Sequence, residues 1–567
     1  MQAYRQYHAL AARLRFQSRQ HQKKGPNPSL HYHSFVENQA SESTSRGSSQ
    51  GQSDIEYEGL HLHETSESLH GTSTRLANAL PGIIEDDSHP TKTFLVKFEG
   101  PDDPLCPRNW SRTKRILYTF NVGLIALVVG TAASIDSAVI PQAAADFRVS
   151  EIVEALATGL FLCGFGIGAL IAGPLSETVG RNPVYLGSLT LYMFFIMGAG
   201  LSPSIEGQLI CRFLAGFCGE APLSTVGGSI SDLWDPLHRL IAFPIFATFG
   251  LMGPLLGPII GGFISESHLV SWRWTEWTTL IMSGTLLSSL FLFQPETYES
   301  ILLKWKAHHL RRITKDGRFK APCELDSQAT FPRRMQMALK RPFLMIIQEP
   351  TIMLWTGYLT VIYIMLFGFL DGYTYVFQDT YSLSPGITGL LFVGIAVGLT
   401  LASVVLTPPV FRWAKKEINN LKSRESGELS RLPPEFFLWY AMLGAPAIPI
   451  SCFWMGWTAY ASISIWSPIA ASVLFGFGIL SVFLSTYLYL IDTYEVYAAT
   501  ALTMITLVRY VVSGGIIEAS IPMYENLGVH WTLTLLGSIG VTFTFVPYMF
   551  YKFGPQVRSK SGFAKTT

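Results

Sequence analysis

The chain has 567 residues, 49% of them hydrophobic and only 14% charged, with a formal net charge of +1 at pH 7 and a mean hydropathy of +0.30. So apolar a surface suits lipid rather than water, and the composition is that of a membrane protein; the near-zero net charge says nothing about nucleic acid, and with the basic runs read as anchors beside a negative leaflet no nucleic-acid partner is expected.

Residues 1–113 read as a disordered cytoplasmic tail, because runs such as Ser41-Glu-Ser-Thr-Ser-Arg-Gly-Ser-Ser-Gln50 lack the apolar content to fold. Eight of the thirteen histidines lie there, including His31, His33, His61 and His63, in no ligand pattern, so no metal site is expected. The first 20 residues are Arg-rich and acid-free, a composition shared with mitochondrial transit peptides. A first membrane span can itself direct targeting, and the tail reading is preferred. The six cysteines (Cys106, Cys163, Cys211, Cys218, Cys323 and Cys452) fall in spans or on the cytoplasmic side, which implies no disulfide framework.

Apolar runs of about 20 residues follow at 116–139, 152–173, 184–203, 207–228, 240–264, 275–294, 350–377, 386–410, 436–458, 465–491, 498–523 and 530–550. The twelve divide into an N-terminal six-helix bundle (114–294), a cytoplasmic central loop (295–349), a C-terminal six-helix bundle (350–551) and a short cytoplasmic tail (552–567), an all-α arrangement expected of two bundles in one transporter. With both termini cytoplasmic, the central loop carries eleven Lys or Arg and the loop at 411–434 six, whereas the outer loops carry two, Arg148 and Arg273. This is the positive-inside bias.

Within the fifth span, Gly253-Pro254-Leu-Leu-Gly257-Pro258-Ile-Ile-Gly261-Gly262 repeats small or ring-locked residues four apart. That spacing puts a smooth stripe on one helix face for close packing, while the prolines weaken the backbone ladder so that the helix bends.

At this point the residues resemble a family. Gly173-Pro-Leu-Ser-Glu177-Thr-Val-Gly180-Arg181 is similar to the loop signature of the major facilitator superfamily, Arg212-Phe-Leu-Ala-Gly216-Phe-Cys-Gly219 to its fourth-span arginine motif, and the proline-glycine helix to the motif of its exporters. Asp103-Pro-Leu-Cys-Pro-Arg-Asn-Trp110, Trp272-Arg-Trp274, Pro295-Glu-Thr-Tyr298, Pro433-Pro-Glu435 and Asp492 with Ala498-Ala-Thr-Ala-Leu resemble the fungal twelve-span drug:proton antiporters. The chain departs from that branch at Glu177 and Thr178, at Glu220 in the fourth span, and at Ile516-Ile-Glu518-Ala in the eleventh. The resemblance implies two bundles rocking about a midplane site. It also implies that Glu177, Arg181 and Asp232 form a gate whose ion pair locks one bundle to the other in the outward-open state and breaks in the inward-open state.

Ionisable residues inside spans are expensive and therefore functional candidates. Arg212 either binds an anionic substrate group, governs a proton-carrying acid, or simply bonds backbone carbonyls; Arg509 is the second arginine left in a span. Asp136 and Asp371 occupy equivalent places in the first and seventh spans and are expected to face each other as a proton-loading pair, the plainer alternative being a wet outer mouth. Glu220 is a candidate for substrate recognition or proton carriage, or else a carboxyl bonded to a neighbouring helix. Trp355, Tyr363, Phe367, Tyr373 and Tyr375 are expected to line the cavity for aromatic solutes, or to face lipid. Four candidate acids against two arginines favour a cationic or neutral solute.

The expectation is a monomeric, multi-pass transporter of the fungal plasma membrane, or of the vacuolar membrane, exporting a drug, toxin or secondary metabolite in exchange for protons. It needs no cofactor; no phosphate-binding loop of the Gly-x-x-x-x-Gly-Lys-Ser/Thr kind is present to drive it with ATP. Rival readings are proton-coupled uptake of a nutrient and a transporter-like sensor. An enzyme is not expected, since no nucleophile with its base stands out.

Overall fold

The structure, a computed structural model, describes residues 1–23, 80, 82–86, 93–100, 102–325, 331–424, 432–559 and 561–563. They divide into two units: Trp110–Thr297 with Ala329–Thr567, and Met1–Asn109 with Tyr298–Gln328.

The first of these is the membrane unit. Among the described residues, eleven helical stretches are long and apolar enough to cross a bilayer: Arg112–Phe147, Glu151–Val179, Arg181–Leu201, Ile205–Leu233, Pro236–Glu266, Trp274–Phe293, Pro350–Thr380, Pro385–Asn420, Pro434–Thr458, Trp466–Tyr494 and Ala498–Arg558. The last covers 61 residues and is broken at Gly528, whose φ of 75° lies in the region that favours glycine. It therefore supplies two crossings, and the total is the twelve expected. The helices run a few residues past the apolar runs at most ends because serine caps set several starts: Ser111, Ser150 and Ser204 each accept from a backbone N–H three residues on. Their outward faces leave residues such as Phe194, Phe293, Val404, Val405, Trp531 and Phe545 exposed, as lipid contact requires.

Several of the short motifs prove to be ties between spans. The Glu296 carboxylate accepts from the backbone N–H groups of Arg181 (3.0 Å) and Asn182 (3.1 Å), capping the third span from the end of the sixth. In the other bundle, Glu435 at the start of the ninth span is 3.0 Å from Arg558 at the end of the twelfth. Each half thus closes a corresponding pair of spans by a different chemical device.

Among the described residues, one meeting of the two bundles lies at the C-terminal end of the fifth span. There the fifth span meets the eighth: Glu266 Oε2 accepts from Ser384 Oγ and from the Gly386 N–H, both at 3.2 Å. A Cβ at Gly262 would lie 2.6 Å from Pro385 O. The second span meets the eleventh in the same way, where a Cβ at Gly514 would lie 2.7 Å from Gly159 O. Glycine is what permits backbone to rest on backbone here.

Where it is described, the second unit corrects the expectation of a disordered N-terminal tail. An N-terminal helix, Gln2–Lys23, and a helix from the central segment, Glu299–Thr314, accompany a three-stranded sheet in which Ile83–Asp86 pairs antiparallel with Thr93–Val96, and Thr93–Val96 pairs parallel with Phe319–Lys320. Leu10, Leu14, Phe94, Val96, Leu302, Leu310 and Phe319 form its core. The apolar positions of both segments are too few for either to fold alone; together they close a small core. Arg13 fastens the helix to Glu99 (2.6 Å) and Asp103 (3.2 Å). The helix is therefore built into a folded unit. The serine-rich run and His31, His33, His61 and His63 lie outside the described residues.

Candidate functional site

Arg212 sits in the fourth span with 1% of its surface exposed, so its charge must be met inside the protein. It is paired with Asp136, and its Nη2 is 2.6 Å from Glu276 Oε1. Its Nη1 donates to Ala132 O at 3.0 Å. Asp136 reaches it because the first span breaks into a 3-10 turn, Ile135–Val139, after its helix ends at Ala132. Glu276 reaches it from the first turn of the sixth span, where the helix N-terminus favours a carboxylate. Nearby, the buried Glu154 accepts from Gln208 Nε2 at 2.9 Å and interacts electrostatically with Glu276. Two buried carboxyls thus share one guanidinium, and a third, Glu154, lies within the field of Glu276. Glu154 and Glu276 were not among the sequence candidates although both lie just inside expected spans; their place at span edges made them resemble loop acids.

Asp136 and Asp371 are not brought together as a pair. Asp371 accepts from Ser520 Oγ at 2.5 Å, a bond between the seventh and eleventh spans of the C-terminal bundle. Equivalent places in the two halves therefore carry acids with separate partners.

Between the bundles lies a cavity of about 850 Å³ that runs from Glu220 and Arg509 to Glu177, Asp235, Glu495 and Arg558 at the span ends. It is the opening opposite the closed face. Glu220, 3% exposed, accepts from Ser224 Oγ at 2.9 Å through Oε1, and its Oε2 has no hydrogen-bond partner. Arg509, 4% exposed, places its guanidinium 4.5 Å from the Tyr363 ring and 4.7 Å from the Tyr510 ring, with Nε and Nη1 unpartnered.

Of the five aromatic residues expected to line the cavity, Tyr363 alone borders it; Phe243, Phe246, Phe437, Phe483, Tyr487 and Tyr510 supply the other rings. Trp355 packs on Tyr358, Tyr489 and Phe550. Phe367 packs beside Tyr363, Tyr373 stacks on Phe392 and Tyr375 on Tyr524. The seventh span is wrapped on nearly every side by its own bundle, so aromatic content alone did not reveal which face meets the cavity.

The gate residues divide similarly. Arg181 Nε lies 3.3 Å from Asp232 Oδ2, and its Nη1 donates to Ser176 Oγ at 2.6 Å. This links the third span to the fourth within one bundle; Glu177 stands exposed at the cavity mouth.

The glycine-proline stripe lies against neighbouring backbone. A Cβ at Gly253 would lie 2.8 Å from Gly130 Cα, and one at Gly257 would lie 2.7 Å from Ile135 N; Gly261 abuts Ile135 O. Pro254 O accepts from Ser134 Oγ at 2.8 Å, and Pro258 O faces Gly389 of the other bundle. One helix therefore touches the turn that carries Asp136 and the closed contact between bundles.

Comparison with known proteins agrees with this architecture. A profile of the Major Facilitator Superfamily matches residues 122–517. The MFS-type transporter kojT of Aspergillus flavus is 48% identical over 513 residues, 90% of this chain and 89% of that protein. The citrinin biosynthesis cluster MFS transporter mrr1 of Monascus ruber is 33% identical over 500 residues, 88% of this chain and 98% of that protein. Among solved structures, the MFS proton:xylose symporter XylE bound to 6-bromo-6-deoxy-D-glucose has the same fold, with a TM-score of 0.56 and 14% identity, over 78% of this chain and 96% of that one.

Proposed function

The chain belongs to the major facilitator superfamily, and on that premise we propose that this transporter exports a small organic molecule across a fungal membrane in exchange for protons. The observation that carries the coupling is the pair of buried acids, Asp136 and Glu276, on the single guanidinium of Arg212, with the buried Glu154 interacting with Glu276. An excess of desolvated carboxyls over arginine is a place to hold exchangeable protons, and acids in such contact titrate as a set. The proposed path is alternating access: the cavity at Glu220 and Arg509 faces the cytoplasm, and parting the spans at Glu266 and Gly386 opens it outward.

The cytoplasmic assignment rests on the basic residues of the central segment and of the loop after the eighth span. Export is supported by the fifth-span stripe and by likeness to a transporter named for a biosynthesis cluster; a self-made metabolite would be its cargo, with the plasma membrane as its place. Its helix links proton site to closed face: movement of Gly257 and Gly261 against Ile135 shifts Asp136 relative to Arg212. The gate at Glu177, Arg181 and Asp232 is proposed to engage the other bundle when the cavity mouth closes.

Everted membrane vesicles test the reading. Accumulation driven by an imposed pH gradient and abolished by a protonophore is expected; uptake that survives the protonophore and needs ATP would overturn it.

A further inference from the structure

Arg509 and Glu220 are opposite charges on opposite bundles, each more than nine-tenths buried and each bordering the same cavity. Among the described residues no ion pair joins them. Glu220 uses one oxygen on Ser224 and leaves the other without a partner. Arg509 leaves Nε and Nη1 without acceptors, while ring centroids of Tyr363, Tyr510, Phe483 and Tyr487 lie 4.5 to 5.6 Å from its Cζ.

Rings satisfy a guanidinium only through its faces. Its N–H groups point in the molecular plane and call for acceptor oxygens, for which a carboxylate or other delocalised oxyanion is the matching shape. The free Glu220 oxygen calls for the reverse, a hydroxyl or N–H donor. Tyrosine and phenylalanine walls between them suit a flat π-system.

We propose, resting on the transporter reading above, that the substrate is a hydroxylated aromatic acid whose oxyanion meets Arg509 and whose hydroxyl meets Glu220. Such a solute replaces the missing contact between the two charges and bridges the two bundles. This departs from the preference for cationic or neutral solutes that a count of acids suggests, because Asp136 is committed to Arg212 and Asp371 to Ser520. A cation placed in the cavity would leave the unpartnered N–H groups of Arg509 without an acceptor.

The test is equilibrium binding to the full-length protein in nanodiscs, independent of any gradient. The probes are 2,4-dihydroxybenzoate, its methyl ester, benzoate, cyclohexanecarboxylate and benzyltrimethylammonium. The dihydroxy acid is expected to bind about tenfold or more tightly than the ester, the size of a charge-assisted hydrogen bond, and benzoate and cyclohexanecarboxylate should fall between or below. Arg509→Gln should remove the advantage of acid over ester, Arg509→Lys should restore part of it, and Glu220→Gln should narrow the gap between dihydroxybenzoate and benzoate. Tighter binding of the ammonium compound, equal binding of acid and ester, or no binding by any of the acids overturns the proposal. Proton-driven transport of some other solute in vesicles would leave the exporter reading standing when this one falls, and aromatic-acid binding without proton-driven transport would do the opposite.

Discussion

Glu276 Oε1 lies 2.6 Å from Arg212 Nη2, joining the first turn of the sixth span to the fourth span in an environment that leaves neither side chain in contact with water. Because Asp136 pairs with the same guanidinium, Arg212 is the single basic centre shared by two buried acids. Removing it by Arg212→Met strands both. The expected cost is about 3–5 kcal/mol, seen as severe loss of folded protein in detergent-resistant fluorescence of a tagged chain. Normal abundance and melting temperature would count against this pairing.

Glu276→Gln keeps the size and hydrogen bonding of the side chain and removes its charge. If the cluster holds the exchanged proton, the variant should still exchange substrate between the two sides of a vesicle but fail to concentrate it under a pH gradient. Asp371→Asn provides the comparison, since Asp371 is held by Ser520 in the other bundle. Coupling lost in the second variant and kept in the first would move the proton site to Asp371.

Gly257→Val drives a branched side chain into Ser134 and the backbone of Ile135. Gly173→Ala enlarges a glycine with nothing within 4 Å of the added carbon. Export by the valine variant should fall by about tenfold or more while the alanine variant stays near wild type, each normalised to the amount of protein in the membrane. Equal activity of the two would remove the packing role of the stripe.

Glu266 fastens the closed face through two hydrogen bonds to Ser384 and Gly386. The side chain is exposed, so its loss in Glu266→Ala should cost the closed arrangement only about 1 kcal/mol, roughly a fivefold shift in population. Labelling of a cysteine introduced at Ala138, which Gly261 abuts, should speed up correspondingly. An unchanged rate would mean that the glycine contacts alone hold that face.

In the small unit, burial beside the neighbouring His308 holds the His309 imidazole below its ordinary value, with the Tyr7 ring 4.3 Å away. A histidine depressed in the folded state costs nothing while both states are neutral. As pH falls through about 6.5 the undocked chain takes up the proton first, so docking of Gln2–Lys23 weakens. Limited proteolysis of this helix should be faster at pH 5.5 than at pH 7.5, and His309→Gln should flatten the difference. Cleavage slowed by acid would contradict the sign.

Hydropathy, chain length and glycine spacing act locally, and they determined much of this protein from the sequence alone. A run of about 20 apolar residues must span because lipid offers its backbone no partner, and Gly253, Gly257 and Gly261 mark a close-packing face wherever the neighbouring helix comes from. Resemblance at Gly173–Arg181 and Arg212 was enough for the family. Partnerships were another matter. Whether Asp136 meets Asp371 or Arg212, whether Tyr363 or Tyr373 borders the cavity, and whether Glu276 is a loop acid or a buried one depend on the rotation of each helix and on a neighbour far away in the chain. Packing fixes those rotations to within a few ångströms. The N-terminal helix shows the same limit: Leu10 and Leu14 find their core only when Leu302 and Phe319 arrive from the other side of six spans, a closure that no local pattern encodes.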